Sequence, residues 1–482
     1  MAVVELLVGD YGFALGVGLY AAAALAAPLL GVRASKYMFG LAALWGLIYG
    51  FLVLGQTLPG GVVSAFSGYI VLDSFSAFLE TGAALVLLLA AIGLSGLVDG
   101  WSSGEAFYAA MGLMALGIHV LAGAGVLQLV YAAWVLAAIT SYVLVALRRD
   151  RIAAEAALKY AATGAIATVV LLLGITLAYQ AYEGYALGPA VVAGGATAVL
   201  AFAFIVSAAG FKIGIVPFQA WMPDVYGNSD PAVVSVIASI AKIASVLILV
   251  RLIAPLASLQ PETLFDTVAV LAAITMLYGN IGALATVRDS PQKTLAYSSI
   301  AQAGYLAAAV AALARLPGAE NQAAIAGLAL HTLAYALSKL AAFQALAAAG
   351  CGSNSCGWAA LRGLVRRSPA TAFALVVAMA SLAGIPVTLG FWGKLYIFLA
   401  VASISWPLAL FMLANFGIAI FYYGYVIYQA LLAPETGKTM ETVAGAEVRG
   451  NTDIAATAAA LLLVLLGLVA WQFYSLTVYP YP

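Results

Sequence analysis

The chain has 482 residues, 65% hydrophobic and only 8% charged, against roughly 45–50% apolar and about 25% charged in soluble globular domains. That balance excludes a water-soluble fold and points to membrane-crossing helices, because lipid cannot satisfy the backbone of an open strand or loop. Nineteen basic residues offset 19 acidic ones, so no net field draws the chain to nucleic acid, and none is expected as a partner.

Residues 1–10 lack the basic start of a cleavable signal, so the first apolar run is expected to remain as a crossing. Apolar runs and their breakers predict an all-α polytopic protein with crossings near 10–30, 38–58, 75–98, 106–124, 126–147, 157–181 and 188–221. They continue near 231–254, 265–287, 292–314, 322–349, 369–401, 404–432 and 453–476, about fourteen in all. The uncharged stretch 106–147 is too long for one crossing and is split at Ala122-Gly-Ala-Gly125; the stretch 395–434 is split near Pro407. Asp230-Pro231, Ser290-Pro291 and Ser368-Pro369 each read as a cap followed by proline at a helix start.

The broken seventh and twelfth crossings lie five apart, which predicts two inverted five-helix repeats. The expected parts are therefore an N-terminal three-helix segment (1–98), repeats at 106–254 and 265–432, and a C-terminal transmembrane helix (453–482). Two independent proline kinks are the other explanation of the breaks.

Loops after odd-numbered crossings carry Arg33, Lys36, Arg148, Arg149, Arg151, Arg288, Lys293, Arg362, Arg366, Arg367, Lys438 and Arg449, whereas the opposite loops hold only Arg251 and Arg315. The positive-inside tendency predicts that the first set is cytoplasmic and both termini lie outside an energy-transducing membrane. The largest polar insertion, 434–453, leaves no soluble domain that could hold a nucleotide or flavin, so no cofactor is expected. In Cys351-Gly-Ser-Asn-Ser-Cys356 two thiols could close a disulfide or join a metal site. Two ligands do not make a zinc site, so plain loop thiols and no metal are expected.

Four lysines, Lys212, Lys242, Lys339 and Lys394, stand inside otherwise apolar crossings. Each costs roughly 2.5–3.5 kcal/mol at mid-membrane on insertion scales, and such a cost points to use in moving charge. Lysine can lose its proton when its surroundings change, which arginine cannot do. Snorkelling of individual lysines to an interface is the alternative.

Pro217 cannot donate to the carbonyl of Ile213, next to Lys212, and Pro386 with nearby glycines breaks the twelfth crossing before Lys394. His331, Tyr335 and Lys339 recur every four residues and so share a helix face able to conduct protons; a packing role for His331 is the alternative. His119 has no such companion and reads as structural.

Three segments carry a resemblance: 211–226 with Pro-Phe-Gln-Ala-Trp-Met-Pro-Asp-Val-Tyr, 293–305 with Lys-Thr-Leu-Ala-Tyr-Ser-Ser-Ile-Ala-Gln-Ala-Gly-Tyr, and 381–394. In that order they resemble the antiporter-like membrane subunits of respiratory complex I, with relatives in multi-subunit Na+/H+ antiporters and membrane-bound hydrogenases. Pro223-Asp-Val-Tyr226 and Glu155-Ala-Ala-Leu-Lys-Tyr160 are most similar to the N-type subunit of NADH:quinone oxidoreductase. Gln302 stands where that type usually has histidine, and His331 with Lys339 resembles the other antiporter-like subunits.

The resemblance implies a proton-translocating subunit without a redox site of its own, partnered by other membrane subunits, with Na+ as the other ion it allows. A Na+/H+ antiporter subunit and a largely structural subunit are the alternatives. By resemblance, Lys212 is the pumping lysine of the seventh crossing, Lys242 the connecting lysine of the eighth, Lys394 the lysine of the twelfth, and Lys339 a central-axis residue. The family also places a glutamate in the fifth crossing as partner to the seventh-crossing lysine; here Val135 falls there, and 106–147 contains no acid. Glu80, the one acid deep in a predicted crossing, is a candidate substitute, unless it faces water or a neighbouring subunit near the crossing's end.

Overall fold

A computed structural model of the protein describes residues 7–58, 60–181, 184–187, 196–257, 261–315, 321–352, 356–434, 451–476 and 478. The start of the predicted seventh crossing (188–195), the insertion 435–450 with Lys438 and Arg449, and residues 479–482 lie outside the described residues.

Helix α1 (Asp10–Thr57) contains the first two predicted crossings, folded back on each other at Gly31, where φ is 76°. Its arms run antiparallel: Trp45 Nε1 donates to Gly12 O at 3.3 Å and the Tyr49 hydroxyl to Val8 O at 3.2 Å. A hairpin that the apolar pattern did not foretell follows, β1 (Val62–Ala65) pairing antiparallel with β2 (Ile70–Asp73) in the register Val62↔Asp73 to Ala65↔Ile70. Asp73 then caps α2 (Ser74–Val98) by accepting from the Ser76 amide at 2.7 Å, while the Ser76 hydroxyl receives the Asp73 amide. This reciprocal capping fixes where the strand becomes a helix.

The first predicted repeat holds α3 (Gly104–Gly123), α4 (Leu127–Ala146), α5 (Arg151–Ala181), α6 (Ala196–Ile213), the short α7 (Trp221–Asn228) and α8 (Pro231–Ala257). The second holds α9 (Pro261–Thr286), α10 (Pro291–Arg315), α11 (Gln322–Ala348), a single turn α12 (Leu364–Arg367), α13 (Pro369–Ala383), α14 (Leu389–Ala402) and α15 (Trp406–Leu431); α16 (Thr452–Val469) follows, continued by a 3-10 segment (Ala470–Ser475). Among the described residues, 12 helices are long and apolar enough to cross a membrane. Counting both arms of α1, and α13 with α14 as one broken crossing, gives the predicted fourteen.

Helices α8, α10 and α11 are buried on nearly every side, whereas the outer arms expose Leu29, Phe51, Leu158, Ile166 and Phe421. Such a belt on a soluble protein would drive aggregation; here it faces lipid. The central helices therefore form a protected interior, and they carry Lys242, His331, Tyr335 and Lys339.

Two expectations are corrected. Arg251 is not a loop cation: it is buried, 3.5 Å from Asp73, and donates to Val71 O (2.7 Å), Ser76 Oγ (2.9 Å) and Ala122 O (3.0 Å). It joins α8 to the hairpin and to the ends of α2 and α3. Cys351 and Cys356 are not free thiols but a disulfide, whose half-cystines lie where α11 ends.

Breaking a buried pair from one side leaves an uncompensated charge and costs about 3–5 kcal/mol. Arg251→Leu is thus expected to lower the thermal midpoint of the detergent-solubilised protein markedly. Lys36→Ala removes a partly exposed pair with Asp99 at 3.0 Å and should change stability by only about 0–1 kcal/mol.

Candidate functional site

The two broken crossings are capped alike. Between α6 and α7, Gly214 takes φ 90° and the Ile215 amide donates to Gly210 O at 2.8 Å; between α13 and α14, Gly384 takes φ 85° and the Ile385 amide donates to Ala380 O at 2.9 Å. These are left-handed caps that a side chain would strain by roughly 1–2 kcal/mol, so glycine ends each half-helix and proline follows it. The carbonyls four residues before Pro217 and Pro386, those of Ile213 and Leu382, then have no amide to receive.

Both carbonyls receive a lysine instead. Lys242, from the neighbouring α8, donates to Ile213 O, and Lys394 donates to Leu382 O at 2.6 Å. The carbonyl freed beside Lys212 thus serves Lys242 rather than the adjacent lysine.

From Lys242 a polar line crosses the interior. Lys242 Nζ donates to Ser299 O at 3.2 Å and stands 5.2 Å from the Tyr335 ring, whose centre is 5.6 Å from Lys339 Nζ. Lys339 donates to Leu295 O (2.7 Å) and Ser298 Oγ (2.8 Å); Ser298 Oγ meets the Tyr423 hydroxyl at 2.9 Å. Gln302 Nε2 donates both to that hydroxyl and to Leu382 O, each at 3.0 Å, and so reaches the carbonyl that holds Lys394. Lys394 also lies 4.9 Å from the Tyr305 ring and 4.7 Å from that of Phe416.

On α11 Lys339 reaches the Tyr335 ring, and His331 packs edge-on to Tyr305 of α10 at 6.2 Å. Both His331 ring nitrogens and the hydroxyls of Tyr335, Thr332 and Ser338 are buried without a hydrogen-bond partner among the described residues.

Lys212 stands apart. Its Nζ donates to Ser141 Oγ at 2.7 Å and lies 4.8 Å from the rings of both Tyr142 and Tyr160. Trp221, at the start of α7, stacks on Tyr160 at 4.2 Å and donates to Phe211 O at 3.0 Å, holding this aromatic wall against α6. No ion pair reaches Lys212 among the described residues. Glu80 contacts His119 instead, so it is not a direct partner of Lys212.

Residues 124–420 match the family described as NADH:quinone oxidoreductase/Mrp antiporter, TM. The chain belongs to this family. It is 33% identical over 393 residues to the NADH-quinone oxidoreductase subunit N of Heliobacterium modesticaldum, covering 79% of this chain and 80% of that one. To the F(420)H(2) dehydrogenase subunit N of Methanosarcina mazei it is 30% identical over 419 residues, covering 83% and 80%. A chain of respiratory complex I from Thermus thermophilus with bound aureothin superposes with a TM-score of 0.79 at 30% identity, covering 95% of this chain and 98% of that one.

Within this family member, sequence reasoning located the lysines but missed Ser141, Tyr142, Ser298 and Tyr423, which hold them. Hydroxyls are ordinary in membrane helices, and Tyr422-Tyr423 sits in an aromatic-rich run with no spacing signal. An ammonium held by one hydroxyl and two ring faces has no opposite charge to repay its desolvation. Lys212→Met, close in shape and apolar, is therefore expected to raise the thermal midpoint of the solubilised protein, whereas Tyr160→Ala should lower it.

Proposed function

We propose that this chain is a proton-translocating, antiporter-like membrane subunit of a complex I-like redox-driven pump. The observation that carries this reading is the contact line from Lys242 past Tyr335 to Lys339, Ser298, Tyr423, Gln302, the Leu382 carbonyl and Lys394. Hydroxyls along it can pass a proton, while the amide and the carbonyls, which serve as donor and acceptors, orient the groups that carry it. The unpartnered groups of His331, Thr332, Tyr335 and Ser338 are further donors and acceptors that bridging water can join to the line.

The electron chemistry belongs to other subunits, as the relatives' names imply, and the partners are the membrane subunits of a respiratory or hydrogenase-type complex. Burial of Arg251 leaves Arg315, paired with Glu262 at 2.9 Å, as the opposite face's basic residue among the described loops. That sharpens the charge bias and supports outside termini with cytoplasmic loops after odd crossings. The alike breaks support two five-helix repeats related by inversion, at 106–254 and 265–432.

A second reading, of an inactive first half-channel, is favoured by the lack of an acid beside Lys212 among the described residues. The two are separated by proton translocation of the assembled complex in vesicles. Lys394→Ala should abolish it, and Tyr423→Phe should slow it about tenfold, the equivalent of one hydrogen bond of ~1.4 kcal/mol. Lys212→Ala should also abolish translocation if the first half works and leave it intact if that half is inactive. Unchanged pumping in both Lys394→Ala and Tyr423→Phe refutes the proposed line.

A further inference from the structure

The N-terminal helices contain a second buried titratable pair that the lysine line does not use. Glu80 on α2 and His119 on α3 are 3% and 2% exposed, and His119 Nδ1 contacts Glu80 Oε1. The imidazole stacks on Phe13 at 4.3 Å and is walled by Tyr49 at 5.5 Å and Tyr20 at 5.9 Å, both from α1. Gly16 leaves room for it: a Cβ there would lie 2.6 Å from His119 Nε2. The second carboxylate oxygen, Glu80 Oε2, is buried with no hydrogen-bond partner among the described residues.

The tautomer follows from the contacts. His119 Nε2 lies 3.2 Å from Phe13 O, and a carbonyl only accepts, so Nε2 carries hydrogen. The opposite nitrogen then meets a carboxyl oxygen. Two bare lone pairs would repel there, so one proton stands between Nδ1 and Oε1, whichever atom it is nearer.

Along α2 and α3 this pair lies within about two helical turns of the hairpin end. Asp73 precedes Glu80 by two helical turns, and Arg251 binds Asp73, Ser76 and the carbonyl of Ala122, three residues beyond His119. Past that cluster a surface cleft of about 470 Å³ opens, lined by Tyr69, Val71, Gly125 and Val126.

We propose that Glu80 and His119 form a proton-binding site separate from the lysine line, holding one exchangeable proton that communicates with the hairpin side. The chain has only two histidines, so 15N-histidine labelling of the full protein in lipid yields two ring systems. His119→Gln and His331→Gln each delete one and assign them. In the unsubstituted protein His119 should show a protonated Nε2 and an Nδ1 shifted by a shared proton. Glu80→Gln should return that Nδ1 to the position of a bare acceptor while Nε2 keeps its hydrogen; Lys394→Ala should leave both unchanged.

A bare Nδ1 in the unsubstituted protein, or an Nδ1 signal that ignores Glu80→Gln, overturns the site. Asp73→Asn should slow deuterium exchange of the shared proton without removing its signal. Exchange that is unchanged overturns the hairpin-side route. Neither readout depends on pumping, so failure here is distinct from failure of the lysine line.

Discussion

A proline-freed carbonyl that accepts a buried ammonium is the interaction around which this interior is arranged. Placing lysine in a membrane costs roughly 2.5–3.5 kcal/mol on insertion scales. A hydrogen bond involving a charged group contributes about 1.5–3 kcal/mol, and a desolvated ring face up to about 2 kcal/mol. Lys394, with Leu382 O and the rings of Tyr305 and Phe416, is therefore near balance without any carboxylate. The helix breaks are what make this possible, because an intact helix would keep both carbonyls for its own amides.

Neutral acceptors have a consequence that a carboxylate would not. A counter-ion holds an ammonium in its charged form, whereas carbonyls, hydroxyls and rings stabilise the charge without forbidding its loss. Lys242 and Lys339 face the same Tyr335 ring, so two ammoniums there repel, and charge arriving at one favours its departure from the other. A row of such sites offers successive places where a charge can rest without being locked by a counter-ion. Burial of α8, α10 and α11 keeps bulk water away from these sites.

Much of this was legible in the sequence because lysine, proline and glycine are conspicuous in apolar segments. The crossings followed from composition, and the breaks from Pro217 and from Pro386 with its nearby glycines. What stayed hidden were pairings between residues distant in the chain. His119 looked structural because its partner lies 39 residues away on another helix, and Arg251 looked like a loop cation because the carbonyl it binds at Val71 is 180 residues distant. The hairpin escaped notice because strands of four residues carry too little periodicity to separate them from a loop. The disulfide depended on how the loop folds, which spacing alone does not determine.

The two halves share a break but use it differently, and that difference organises the line. In the second half the broken crossing's own lysine takes the freed carbonyl, so Lys394 is bound into the network through Leu382. In the first half the equivalent carbonyl, that of Ile213, is taken by Lys242 from the next helix, and Lys212 turns to Ser141 and the rings of Tyr142 and Tyr160. The hydrogen-bonded path therefore runs from Lys339 to Lys394; Lys242 joins it across the Tyr335 ring, and Lys212 is attached through the peptide that joins it to Ile213. Lys212 thus has no opposite charge among the described residues, whereas Lys394 is tied by hydrogen bonds to the Leu382 carbonyl that Gln302 also reaches.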